Sequence, residues 1–102
     1  MTELPIVCTL GPDALKARKD GLLTRVARLS RQMVRTRAGY RFEFTPNGEA
    51  LRAIAEMIEA ERQCCQFLRF TLTVEPCGGP MQLDVTGPDG TPEFLGALLH
   101  LV

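Results

Sequence analysis

The 102 residues carry 12 Lys and Arg against 12 Asp and Glu, so the formal net charge is zero with the single histidine neutral. That balance excludes a dedicated nucleic-acid binder, which carries a basic excess, and a 45% apolar content excludes a disordered chain. No apolar run reaches the ~20 residues of a membrane span, and Met1 to Pro12 lacks the basic start and apolar stretch of a signal peptide. The expectation is a single cytoplasmic domain over residues 1–102, with neither nucleic acid nor membrane as a partner.

Leu4, Ile6, Cys8 and Leu10 alternate with other residues and predict a first strand, stopped by Gly11-Pro12. From Asp13 onward, Leu15, Leu22, Val26, Leu29 and Met33 share one stripe at near-heptad spacing, which predicts a first helix with a weak point at Gly21. Gly39 then precedes Tyr40, Phe42 and Phe44, which alternate with Arg41 and Glu43 in the pattern of a half-buried strand. Thr45-Pro46-Asn47-Gly48 resets the chain, with Asn47 the expected N-cap of a second helix. Leu51, Ile54, Ile58 and Cys65 share one face of that helix, which is expected to end around Cys64 to Gln66.

There the apolar period drops from 3.6 to 2. Leu68, Phe70, Leu72 and Val74 face one way, and Arg69, Thr71, Thr73 and Glu75 the other. Pro76-Cys77-Gly78-Gly79-Pro80 turns the chain into a returning strand that carries Met81, Leu83 and Val85. Gly87-Pro88-Asp89-Gly90 is a second turn. Thr91 is then expected to cap a last helix with Pro92 at its first position and Phe94, Leu95, Leu98 and Leu99 on its apolar side. The order is βαβαββα. Cleanly alternating strands predict a mainly antiparallel sheet of about four strands with helices on one face, an α+β two-layer sandwich.

Charge is unevenly spread. Residues 1–45 hold nine Lys or Arg against four Asp or Glu, and residues 46–102 hold three against eight. Arg18, Arg25, Arg28 and Arg35 recur at helical spacing on the first predicted helix. Such a stripe suits an anionic partner. It equally suits a solvated face paired with Glu56 and Glu59 of the second helix, and the zero net charge favours this plainer reading.

The four cysteines are Cys8, Cys64, Cys65 and Cys77, with no C-x-x-C pair and no H-x₃₋₅-H partner for a structural zinc site. Adjacent cysteines make a poor disulfide, because their α-carbons lie ~3.8 Å apart across a trans peptide. Cys64-Cys65 therefore reads as two thiols. Glu61 precedes them by three and four residues, within reach of both on a helix, and Met57 stands seven residues before Cys64. Arg62 is the local cation available to pair with Glu61 or to favour a thiolate.

Two soft donors side by side suit a thiophilic ion such as Cu(I), Hg(II) or As(III). The candidate metal site is Cys64, Cys65, Glu61 and Met57, with Cys8 and Cys77 as other sources of a third donor. The same thiols suit redox chemistry, in which one attacks and its neighbour resolves. They also suit plain burial, since cysteine packs as a small hydrophobe. His100 has no cysteine in sequence reach, and no phosphate loop, nucleophile elbow or paired-carboxylate motif is present, so no catalytic residue is assigned.

The run Glu61-Arg62-Gln63-Cys64-Cys65-Gln66-Phe67-Leu68-Arg69-Phe70 continues through Leu72, Val74, Glu75-Pro76, Gly78-Gly79-Pro80 and Thr86-Gly87-Pro88-Asp89-Gly90. With Pro5-Ile6-Val7-Cys8-Thr9-Leu10 and Gly39-Tyr40-Arg41-Phe42, it resembles a group of small uncharacterised bacterial proteins with an E-R-x-C-C-x-F-L-x-F core. In that group a proline often follows the cysteine pair, where this chain has Gln66. The resemblance implies a stand-alone bacterial protein and brings no activity with it. Binding of a soft metal or metalloid ion is the leading expectation. The alternatives are a thiol redox protein and a non-catalytic association module with structural cysteines, and a two-fold homodimer is the default assembly.

Overall fold

Segments with similar apolar spacing take different forms in the computed structural model, which describes residues 22–99 apart from the Cys64 side chain. Helix α1 (Leu22–Leu29) buries Leu23, Thr24 and Val26. It stops four residues before Met33, although the apolar stripe continues. The Ser30 N–H donates to the Val26 and Ala27 carbonyls, and the Ser30 hydroxyl donates to the Ala27 carbonyl at 2.5 Å. Those contacts satisfy carbonyls that a helix end would leave open.

Residues beyond Ser30 pair instead with the next segment. Strand β1 (Gln32–Arg35) runs antiparallel to β2 (Gly39–Phe44), with Met33 opposite Phe42 and Arg35 opposite Tyr40. The Thr36 N–H donates to the Gly39 carbonyl at 2.9 Å and closes the hairpin. Met33 and Arg35, expected on the first helix, thus belong to a strand. Cross-strand pairing overrides a periodicity that is only a weak local preference. Gly39 also lies where β2 meets β4. A Cβ there would stand 1.8 Å from the Val85 carbonyl oxygen, so no other residue fits without moving the strand.

The remaining elements follow their sequence signals closely. They are α2 (Gly48–Cys64), β3 (Arg69–Val74), β4 (Met81–Thr86) and α3 (Thr91–Leu99). Asn47 caps α2 as expected, its side chain accepting the Ala50 N–H at 2.7 Å. At α3 the cap differs. The Gly90 carbonyl accepts the Phe94 N–H, so Gly90 occupies the cap, while the Thr91 hydroxyl donates back to the Pro88 carbonyl at 2.7 Å. Pro92 stands second in the helix rather than first.

All strand pairs are antiparallel and the sheet order is β1-β2-β4-β3. Phe42, Phe44, Met81, Leu83 and Val85 are buried on one sheet face with Leu23, Val26, Ile54, Met57, Leu95, Leu98 and Leu99 of the helices. The other face carries Arg41, Glu43, Gln82 and Asp84, with Arg41 bonded to Asp84 at 2.8 Å. This is an α+β two-layer sandwich with its helices on one face. The described elements run αββαββα, one strand more between the first helix and Gly39 than the periodicity predicts. The strand expected over Leu4 to Leu10, with Cys8, lies outside the described residues, as do Arg18 and His100.

Candidate functional site

The cysteine pair sits where α2 ends. Its last turn closes with the Cys65 N–H donating to the Glu61 carbonyl at 2.7 Å, and Cys65 leaves the helical conformation as the C-cap. A tight turn follows, in which the Leu68 N–H donates to the Cys65 carbonyl at 3.2 Å before β3 begins. Gln66 is exposed at the tip of this turn, while Phe67 and Leu68 fold inward.

The core-facing row of α2 consists of Ala50, Ile54, Met57 and Glu61, and it leads to Cys65. The Leu51, Ile54, Ile58 and Cys65 stripe expected from the sequence is buried at Ile54 and Cys65, but its centre lies roughly 60° away round the helix, at ~100° per residue. Leu51 is 42% exposed, and Ile58 packs only at the margin of the core. The rotation carries Glu61 inside. Glu61 is 2% exposed, and it is the one carboxylate among the described buried residues, the other buried polar residues being Thr24 and Thr91. Burying a carboxylate is costly unless it is paired or hydrogen-bonded, which makes Glu61 a candidate site residue.

Arg62, one residue on, points the other way. It bonds Glu59 at 3.3 Å on the exposed side of α2, where Gln63 also donates to Glu59. Of the two roles open to Arg62, pairing with Glu61 or favouring a thiolate, the first gives way to a surface pair with Glu59, because one step of ~100° separates Arg62 from Glu61.

Cys65 and Met57 are both 0% exposed. Eight residues of helix place Met57 about 12 Å from Cys65 along the axis, where it packs as part of the core wall below Glu61. Cys77 lies at the far end of β3, exposed in the hairpin between β3 and β4, with a positive φ of 58°. Six strand residues at ~3.3 Å each put it roughly 20 Å from Cys65. Cys65 and Glu61 are thus brought together and Cys77 is kept apart. Among the described residues, no three His, Cys, Asp or Glu side chains form a metal-binding group.

Among the described residues the arginine stripe is split, with Arg25 and Arg28 on α1 and Arg35 on β1. Arg25 lines a crevice between α1 and α2 with Glu49, Arg52 and Glu56. Arg35 on β1 instead bonds Glu93 of α3 at 2.6 Å. No described helix is long and apolar enough to cross a membrane.

No protein-family model matches the chain, and no curated protein or solved structure matches it. The site's chemistry rests on its own residues.

Sequence reasoning placed Glu61 beside the thiols but missed that it enters the core. The signal available was the spacing Ala50-Ile54-Met57-Glu61, whose first member is small and whose last is charged.

Proposed function

We propose that this protein takes up one soft metal or metalloid ion, of the class of Cu(I), Hg(II) or As(III), on the thiols of Cys64 and Cys65, with Glu61 as the supporting carboxylate. One observation carries the reading: a carboxylate that is 2% exposed stands one helical turn before a thiol that is 0% exposed. A carboxylate enclosed beside a thiol is placed to take the proton that ion binding displaces. Soft ions select sulfur over oxygen, so the cysteines supply the bonds and the carboxylate supplies a nearby proton acceptor.

Each thiol loses a proton when it binds the ion. Glu61 is near enough in sequence to receive one, its backbone being bonded to Cys65, and the other leaves to solvent. Met57 and Cys77 are left out of the ligand set by their distances along α2 and β3.

Anaerobic titration of the reduced protein with each ion, in competition with a strong dithiol chelator, tests this reading. One equivalent should bind tightly, and binding should vanish in the Cys64→Ser/Cys65→Ser variant. Glu61→Gln should weaken it about tenfold, the scale of a lost supporting interaction at a metal site. Binding no tighter than that of a free dithiol, or binding unchanged in the double variant, would end the proposal.

A further inference from the structure

We infer that the turn from Cys65 to Leu68 is a gate over the Cys65 thiol, latched by Phe67 against Phe94 of α3. Cys65 has no exposed surface, and Phe67 and Leu68 are 6% and 9% exposed, yet Gln66 between them reaches solvent. The buried Cys65 is thus the first residue of a turn whose next residue is at the surface.

Three contacts from separate parts of the chain hold that turn shut. The Leu68 N–H donates to the Cys65 carbonyl at 3.2 Å. The Phe67 ring meets Phe94 edge to face, with centroids 5.3 Å apart and planes at 76°. The Phe67 carbonyl backs onto Gly87, where even a Cβ would come within 3.1 Å of it. This close fit depends on glycine at the start of the turn that leads into α3.

Opening the turn breaks at least the Leu68–Cys65 hydrogen bond, withdraws the Phe67 ring from Phe94 and moves the Phe67 carbonyl off Gly87. It leaves the β3–β4 pairing and the body of α2 intact, since the α2 ladder ends at Cys65 and β3 begins at Arg69. Local openings of this kind require less free energy than global unfolding. That the gate serves ion entry rests on the proposed function; the gate itself stands on the packing alone.

Pulsed alkylation of the complete reduced protein with iodoacetamide, resolved by fragment mass spectrometry, tests it without any metal. Exposed Cys77 serves as the internal reference. Cys65 should react on the order of a hundredfold more slowly than Cys77, with a urea dependence much shallower than that of global unfolding. Phe94→Ala should accelerate Cys65 about three- to tenfold, the scale of a lost aromatic pair, and leave Cys77 unchanged. Should that variant fail to fold, Phe94→Leu should act in the same direction with a smaller effect.

Cys65 reacting at the rate of Cys77 would overturn the gate. So would a urea slope equal to that of global unfolding, or a Cys65 to Cys77 ratio unmoved by the Phe94 variants. Because no ion is present, failure of ion binding leaves this result standing, and failure of the gate leaves the titration standing.

Discussion

Cys65 and Cys77 flank the same strand, and the fold gives them opposite surroundings. Cys65 closes a helix, is wholly buried and lies one turn from a buried carboxylate. Cys77 stands in a hairpin, exposed, at a backbone angle that side chains rarely adopt. The residue type is identical, so the difference teaches that thiol chemistry here is set by position in the fold. The burial of Glu61 concentrates charge, thiol and apolar wall at one end of α2. The hairpin end of β3 has only a turn to offer.

The largest test of this contrast removes the wall under the buried end. Met57→Ala should destabilise the protein by about 2–5 kcal/mol, because it leaves a cavity in a close-packed core. Urea denaturation measures it, and a loss below ~1 kcal/mol would mean that the α2 end is loosely packed.

Serine substitutions compare the two cysteines directly. Cys65→Ser should cost about 1–3 kcal/mol by placing a hydroxyl at a wholly buried position. Cys77→Ser should stay within about 0.5 kcal/mol. Equal losses at both positions would erase the distinction.

The smallest effect sharpens the other side. Cys77→Gly should stabilise by up to about 1 kcal/mol, since glycine takes a left-handed φ without the steric cost borne by other residues but loses more entropy on folding. Thermal denaturation reads the gain, and a decrease in Tm would show that the Cys77 side chain makes a contact that matters.

Much of the architecture is legible in the residues. Asn47 announces the start of α2, the change of period after Cys65 announces β3, and the proline- and glycine-rich turns bracket β4. These signals work because each is local: a cap, a turn or an alternation acts over a few residues. The stripe ending at Met33 misleads for the complementary reason. Leu22, Val26 and Met33 fit a helix, but residues 32–35 gain more by pairing with β2, a partner that no local window contains.

The candidate site divides the same way. The adjacency of Cys64 and Cys65 and the helical spacing to Glu61 are properties of the chain. The inward turn of Glu61 and the outward turn of Arg62 are not. They follow from which face of α2 the other helices and the sheet cover, and a rotation of roughly 60°, less than one residue's ~100° step, is enough to exchange a surface charge for a buried one.

By itself, then, the sequence determined the α+β class, the ends of α2, the β3–β4 hairpin and the presence of two neighbouring thiols, because each is encoded within one turn or one strand. Only the tertiary structure decided that residues 32–35 form a strand, that Glu61 and Met57 enter the core, and that Cys65 is sealed while Cys77 is open. Burial is a property of surfaces brought together from distant parts of the chain, and the same side chain is cheap or costly according to what covers it.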